Sequence, residues 1–387
     1  MIYLDNSATT RQYRQVTDIM VKYMDDLYGN PSSLYQLGLD SEKAVKKARE
    51  QVSRAIGLGS GKVYFTSGGT ESDNMAVLGT AAAFKRRGNR IVTTSVEHPA
   101  VLECCRKLEQ DGFEVIYIDV DEKCRLDMDE LEDAIDDKTI LVSIMHVNNE
   151  IGTIMPVNDV KKIMKAKGSP GLFHCDAVQS FGKLRIVDGP DLVTVSGHKI
   201  HGPKGTGAIY IKDKVNIPAL ILGGGQEEGR RSGTQNVPGI AGIGAAAEIT
   251  CGSIGENSDH IAYMRNCLMK GLCDSIDDIV INSPEQTGTD AGECCGSLLS
   301  VSFLGTRGEV LLHTLEQYGI YVSTGSACSS NKRGQSHVLK AMGLKDREIE
   351  GTLRFSFGMM NSMEEIDEVV DRVSGAVKRF RKLGSFR

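Results

Sequence analysis

From about residue 63 the chain alternates short apolar runs with longer amphipathic ones. The runs "KVYFTS", "NRIVTTS", "FEVIYIDV", "TILVSIMHV" and "GLFHCDA" are rich in β-branched and aromatic residues and end in small or polar ones, which predicts strands. Between them, Glu71–Arg87, Ala100–Gly112, Met128–Asp137 and Val157–Lys167 repeat apolar residues at helical spacing. Strand and helix in alternation predict a mainly parallel sheet covered on both faces, with ligands at the carboxyl ends of its strands. Near residue 237 the pattern changes. "VPGIAGIGAAAEITCGSIG" opens a helical region expected to run to about Ile276 and to bridge to a second unit. Beyond it, "LLSVSFLG", "IYVSTGS" and "TLRFSFG" predict strands mixed with helices, as in a smaller α+β domain.

Composition narrows the picture. A chain of 387 residues is expected to divide into two domains. A net charge of −6 argues against general affinity for nucleic acid. No run approaches the ~20 apolar residues of a membrane helix. The start, "MIYLDNSATT", lacks a basic-then-apolar leader, so a cytoplasmic protein is expected. The ten cysteines include no C-x-x-C pair and read as free thiols of a reducing compartment. Cys328 stands apart. Its setting, "STGSACSS", is all small residues, which predicts an open segment and a reactive thiol.

Candidate chemistry falls at predicted strand ends. "FTSGGTESDNMA" leaves a strand through Gly68 and Gly69 and enters a helix at Thr70, where free N–H groups and the positive dipole end suit a phosphate. Thr70 is suited either to cap that helix or to bind a phosphate oxygen. His98 precedes Pro99 at another helix start. "MHVNNEIGTIMP" clusters His146, Asn148, Asn149 and Glu150 after a very apolar strand, and "HCDAVQS" does the same with Asp176 and Gln179. An acid in that position is open to metal binding, base catalysis or pairing with a protonated ring nitrogen. In "SGHKIHGPKGTGAIYI", Lys199 lies between His198 and His201 in a glycine-bracketed turn, a setting for a Schiff-base lysine. Zinc at the two histidines lacks a third ligand, and no metal is expected. A phosphate-cradling turn, a strand-end acid, a lysine in a tight loop and a ring-sized histidine together suit pyridoxal 5′-phosphate (PLP).

The strings "YLDNSATT", "GNPSS", "FTSGGTESDN", "EHPAV", "NNEIGT", "HCDAVQS", "SGHKIHGPKG", "RRSGTQNVPG", "STGSACSS" and "LRFSFG" occur in this order over nearly the whole chain. In them the sequence resembles the NifS/IscS-type cysteine desulfurases, class V aminotransferases of PLP fold type I. The resemblance implies an α/β fold with a mainly parallel sheet in a large PLP-binding domain (14–255). A smaller α+β domain (1–13 and 256–387) would carry the cysteine loop. It implies that Lys199 binds the cofactor and later moves the substrate Cα proton, and that His98 stacks on the ring and takes a catalytic part in proton transfer. Asp176 would pair with the ring nitrogen and Gln179 with the ring hydroxyl. Gly69, Thr70, Ser196 and His198 would hold the phosphate, with Thr234 contributed by the partner of a homodimer. Asn149 and Arg354 would receive the substrate, Arg354 as a bidentate clamp on its carboxylate. Cys328 would attack the sulfur of L-cysteine, leaving L-alanine and a persulfide for an acceptor such as an iron–sulfur scaffold protein, or for tRNA or cofactor thiolation.

A selenocysteine lyase, or another PLP-dependent β-eliminating enzyme, is the alternative within the same chemistry. The departures from the family pattern are Tyr35 in place of a usual histidine, Cys175 in place of a small aliphatic residue, and Arg333-Gly334-Gln335 in place of a Leu-Glu-Pro run. The long C-terminal tail of some relatives is also absent. These departures bear on partner choice and on the cysteine loop.

Overall fold

The structure is a computed structural model that describes residues 1–186, 188–285, 293–324 and 335–384. After β1 (Ile2–Tyr3), seven strands build one sheet: β2 (Gly61–Thr66), β3 (Arg90–Thr94), β4 (Glu114–Ile118), β5 (Thr139–Met145), β6 (Leu172–Asp176), β7 (Leu192–Ser196) and β8 (Gly207–Lys212). Their order is β2-β8-β7-β6-β5-β3-β4. Neighbours run parallel except at β8, which is antiparallel to both β2 and β7.

The apolar runs lack alternation because both faces of the sheet are covered. β5, β6 and β7 are buried along their whole length. Alternate residues feed different cores. Val142, Phe173 and Val193 join the main cluster, which includes Val52 and Ile243. Leu172 and Leu192 instead pack with Met75 and Ala76 of the helix Gly69–Phe84.

The second unit has a core of its own. β9 (Ile279–Ile281), β10 (Leu298–Phe303) and β12 (Thr352–Ser356) form an antiparallel sheet in the order β12-β10-β9. β11 (Ile320–Tyr321) pairs in parallel with β1, so the N-terminal residues Ile2 and Leu4 pack with Leu299, Phe303, Leu353 and Phe355.

Two expectations are corrected. "IYVSTGS" contributes only two strand residues among those described. The region from 237 to 276 is two helices, Val237–Cys251 and Ile254–Ser275, bent by 74° at Gly252-Ser253. Glycine followed by serine is a weak helix pair, and the bend lets the second helix leave the main core for the small one. Among the described residues no single helix is long and apolar enough to cross a membrane.

Candidate active site

The carboxyl ends of β2, β3, β5, β6 and β7 converge on a cavity of about 220 Å³. After β2, Gly68 precedes the helix Gly69–Phe84, and Gly69 and Thr70 line the cavity. Gly69 is required here, since a Cβ would stand 2.9 Å from Val178 Cγ2. Thr70 is not the cap, contrary to one of its two sequence readings. Gly68 occupies that position without a side-chain bond, which leaves the helix N–H groups and the exposed Thr70 hydroxyl facing the cavity. The turn is pinned from behind: Glu71 accepts from the Ser67 N–H (2.9 Å) and pairs with Arg231 (2.9 Å).

After β3 comes His98. It caps the helix Pro99–Gln110, its Nδ1 accepting from the Ala100 N–H at 3.1 Å, and it also lines the cavity. The cap places the proton of the neutral ring on Nε2. Burial, with the Lys199 and His337 charges, pushes the imidazole down to about 4, so it stays neutral at physiological pH.

β5 delivers Met145, Val147 and Asn149 to the lining. Asn148 turns inward, its Oδ1 accepting from the N–H groups of Glu150 and Ile151. β6 ends in Asp176, whose Oδ1 accepts from the Val178 N–H at 2.9 Å. β7 ends in Ser196, a buried residue whose Oγ has no partner among the described residues.

Lys199 follows on a single 3-10 turn, Gly197–Lys199. Its Nζ donates to the carbonyls of Ser7 (2.6 Å) and Ala8 (2.8 Å). The N-terminal segment laces this turn down. Thr10 donates to His198 O through N and Oγ1, both at 2.9 Å, and receives the His201 N–H at 2.7 Å. His201 sits at φ +60°, an uncommon conformation for a non-glycine residue, held by Arg11 O and by stacking on Tyr13. His198 is half-buried with Nδ1 3.1 Å from Thr9 Oγ1, and burial pushes it down to about 4.

A second carboxyl, Asp73, also lines the cavity. It is buried, its Oδ1 lacks a hydrogen-bond partner among the described residues, and His174 Nε2 is 3.6 Å away. Two buried carboxyls in one site do not both ionise readily. Burial and Asp176 raise Asp73 well above the carboxylate range, and burial raises Asp176 as well. Asp176, facing the Lys199 charge, is the one left to carry negative charge.

Arg354 and Thr234 are not among the lining residues. Arg354 is 1% exposed and already engaged, donating to Asp5 Oδ1 and to Asn149 O, both at 2.9 Å. Only its Nε has no partner among the described residues. Thr234 is exposed. Cys328, Arg333 and Gly334 lie outside the described residues.

The sequence model of the family Aminotransferase class-V matches residues 2–369. The chain belongs to this family. Among class-V relatives, "Cysteine desulfurase IscS" of Methanosarcina thermophila is 43% identical, the match covering 99% of this chain and 93% of the relative. "Cysteine desulfurase IscS" of a Clostridium botulinum strain is 41% identical, over 99% and 96%. Among solved structures, a "NIFS-LIKE PROTEIN" superposes with TM-score 0.90 at 39% identity, covering 98% of this chain and 99% of that one. "SspA in complex with cysteine" has TM-score 0.79 at 31% identity, covering 92% and 99%.

The residues fit the cofactor expected of a class-V enzyme. An unpartnered buried hydroxyl and an open helix N-terminus suit a phosphate, a primary amine suits an aldehyde, and a buried carboxylate suits a protonated pyridine. Sequence reasoning missed Asp5, Ser7, Ala8 and Asp73. Asp73 had a signal: it falls beside Ser72, Met75 and Ala76 on the buried side of a predicted helix. Ser7 and Ala8 had none, since they act through backbone carbonyls.

Proposed function

We propose that this class-V protein is a PLP-dependent cysteine desulfurase, converting L-cysteine to L-alanine with a persulfide on Cys328 for an acceptor protein such as an iron–sulfur scaffold. The observation that carries this reading is the meeting of Lys199, Asp176 and His98 in one cavity beside the unpartnered Ser196 hydroxyl. Relatives named cysteine desulfurase over nearly the full chain, and a solved relative holding cysteine, support the substrate.

When bound, the cofactor supplies an electron sink for the substrate Cα. The chain's own residues do the rest. Asp176 holds the proton on the ring nitrogen, and Gly69, Thr70, Ser196 and His198 anchor the phosphate. Lys199, released from the carbonyls of Ser7 and Ala8, takes and returns the Cα proton. His98 would contribute a neutral Nε2–H donor to the bound cofactor. Arg354 binds the substrate carboxylate while keeping Asn149 close, with its Asp5 partner giving way or sharing.

Cys328 as thiolate attacks the substrate sulfur, the C–S electron pair passing to the substrate carbon. The neighbouring chain supports this assignment. Ser323 and Arg354 exchange backbone hydrogen bonds (3.1 and 2.7 Å), and Ser336 and His337 bond to Glu150 and to Glu97 O. The segment between them thus begins and ends beside the site. None of the nine described cysteines lines the cavity, and burial raises the thiols of Cys104, Cys175, Cys251 and Cys294, among others.

The exposed Thr234, with Leu34 at 94% and Leu222 at 84% exposure, supports a homodimer that lends Thr234 to the neighbouring site. The test is incubation with L-cysteine, assay of alanine and sulfide, and mass spectrometry of the protein. A mass increase of one sulfur on the Cys328 peptide, absent from Cys328→Ala, is expected. Full turnover by Cys328→Ala would remove the nucleophile from this reading.

A further inference from the structure

Lys183 is a partly buried cation that nothing above employs. Its Nζ donates to Gln179 O and to Gln179 Oε1, each at 3.1 Å. The charged and titratable groups around it are Arg354, which repels it, the Cys295 thiol and His201, and among the described residues no carboxylate forms an ion pair with it. An enclosed ammonium without a counter-ion is costly unless an anion is drawn to its neighbourhood.

The bonds around Gln179 fix which way its amide points. An ammonium only donates, so the atom facing Lys183 must be the amide oxygen. That oxygen also accepts from Ser7 Oγ at 3.0 Å, while Nε2 donates to Ser7 O at 3.0 Å. Gln179 lines the cavity, and its amide retains a second N–H with no partner among the described residues. A cation on the carbonyl oxygen strengthens the N–H at the other end of the same amide.

We propose that Lys183 is a positioning residue: through the Gln179 amide it directs and strengthens an N–H donor for an anionic oxygen on the bound ligand, and adds positive charge behind it. This rests on the cofactor reading above, in which that oxygen belongs to the PLP ring. Lys183 touches neither cofactor nor substrate; it acts through Gln179. A cation near the ring disfavours the protonated form of the Lys199–cofactor linkage, which is the more positive one. Removing it therefore raises the pH at which that linkage titrates.

The experiment is a pH titration of the visible absorbance of the holoenzyme, without substrate, alongside cofactor affinity by dialysis. Lys183→Met is expected to raise the midpoint by roughly half a pH unit or more, and Lys183→Arg to restore most of it. Gln179→Leu is expected to shift it the same way, and the double variant little further, since the two residues act in series. If Lys183→Met fails to fold, Lys183→Gln, which can still donate but carries no charge, takes its place with the same expectation. A wild-type midpoint in Lys183→Met or its substitute, or shifts that add in the double variant, overturns the proposal and leaves the cofactor reading standing. Wild-type protein that takes up no cofactor overturns both.

Discussion

The two sides of the cavity are built on different principles. On the side assigned to the cofactor, Gly69, Thr70, His98, Asp176 and Ser196 each lie within about four residues of the end of a strand in one sheet. On the side assigned to the substrate, Arg354 of β12 meets Asp5 from the other end of the chain, 349 residues away, and the Asn149 carbonyl from between. The first side is a local pattern repeated at four strand ends. The second exists only when the small core, which contains Leu4 and Phe355, has closed. Chemistry and folding should therefore separate on the first side and be tied together on the second.

Lys199→Ala is the strongest probe of the first side. Turnover should fall by at least about 10³-fold, because the group that moves the Cα proton is gone, while the circular dichroism spectrum and urea midpoint stay near wild type. Unfolding of this variant would break the separation. Asp5→Ala probes the second side. It leaves the Arg354 guanidinium, 1% exposed, without its carboxylate, and should cost about 3 kcal/mol in urea unfolding together with a raised KM for cysteine. An unchanged urea midpoint would mean that the small core does not depend on this pair.

Glu97 sharpens the contrast through pH. It lies one residue before His98, and burial pushes it from 4.5 up to about 8 although it accepts from Thr94 Oγ1 and Met145 N–H. A carboxyl raised in the fold adds stability that is fully present below its unfolded value and is lost as pH rises through the folded one. The contribution of Glu97 to apoprotein stability should thus fall between about pH 4.5 and 8, by up to about 1.4 kcal/mol per pH unit, against the opposite trend from the depressed His98 and His198 at the lower end of that range. Glu97→Gln keeps the accepting oxygen, and its urea midpoint should gain on that of the wild type as pH rises through that range. The smallest effect is expected at Thr234. Thr234→Ala should weaken PLP binding by roughly fivefold, the worth of one hydrogen bond, with monomer stability unchanged.

Legibility followed the same division. The strands of the main sheet were readable from "KVYFTS" to "GLFHCDA" because burial on both faces demands continuous apolar runs, and their polar ends marked six of the residues that line the cavity. That His98 both caps its helix and lines the cavity was not readable, since the cap bond uses one ring nitrogen and leaves the rest of the ring to the cavity. Nor was the engagement of Arg354 by Asp5, or that of Lys199 by the carbonyls of Ser7 and Ala8, because a backbone carbonyl leaves no trace in residue identity.

By itself the sequence determined the alternation of strand and helix, the parallel sheet, and the residue types at the strand ends. Those depend on periodicity and local propensity, which act over a few residues. Only the tertiary structure decided that the N-terminal segment crosses the lysine turn, that Asp73 lies in the cavity with Asp176, and that Lys183 backs the Gln179 amide. Each of these depends on burial and on groups far apart in the chain coming within hydrogen-bond distance, and that is set by the packing of two cores together.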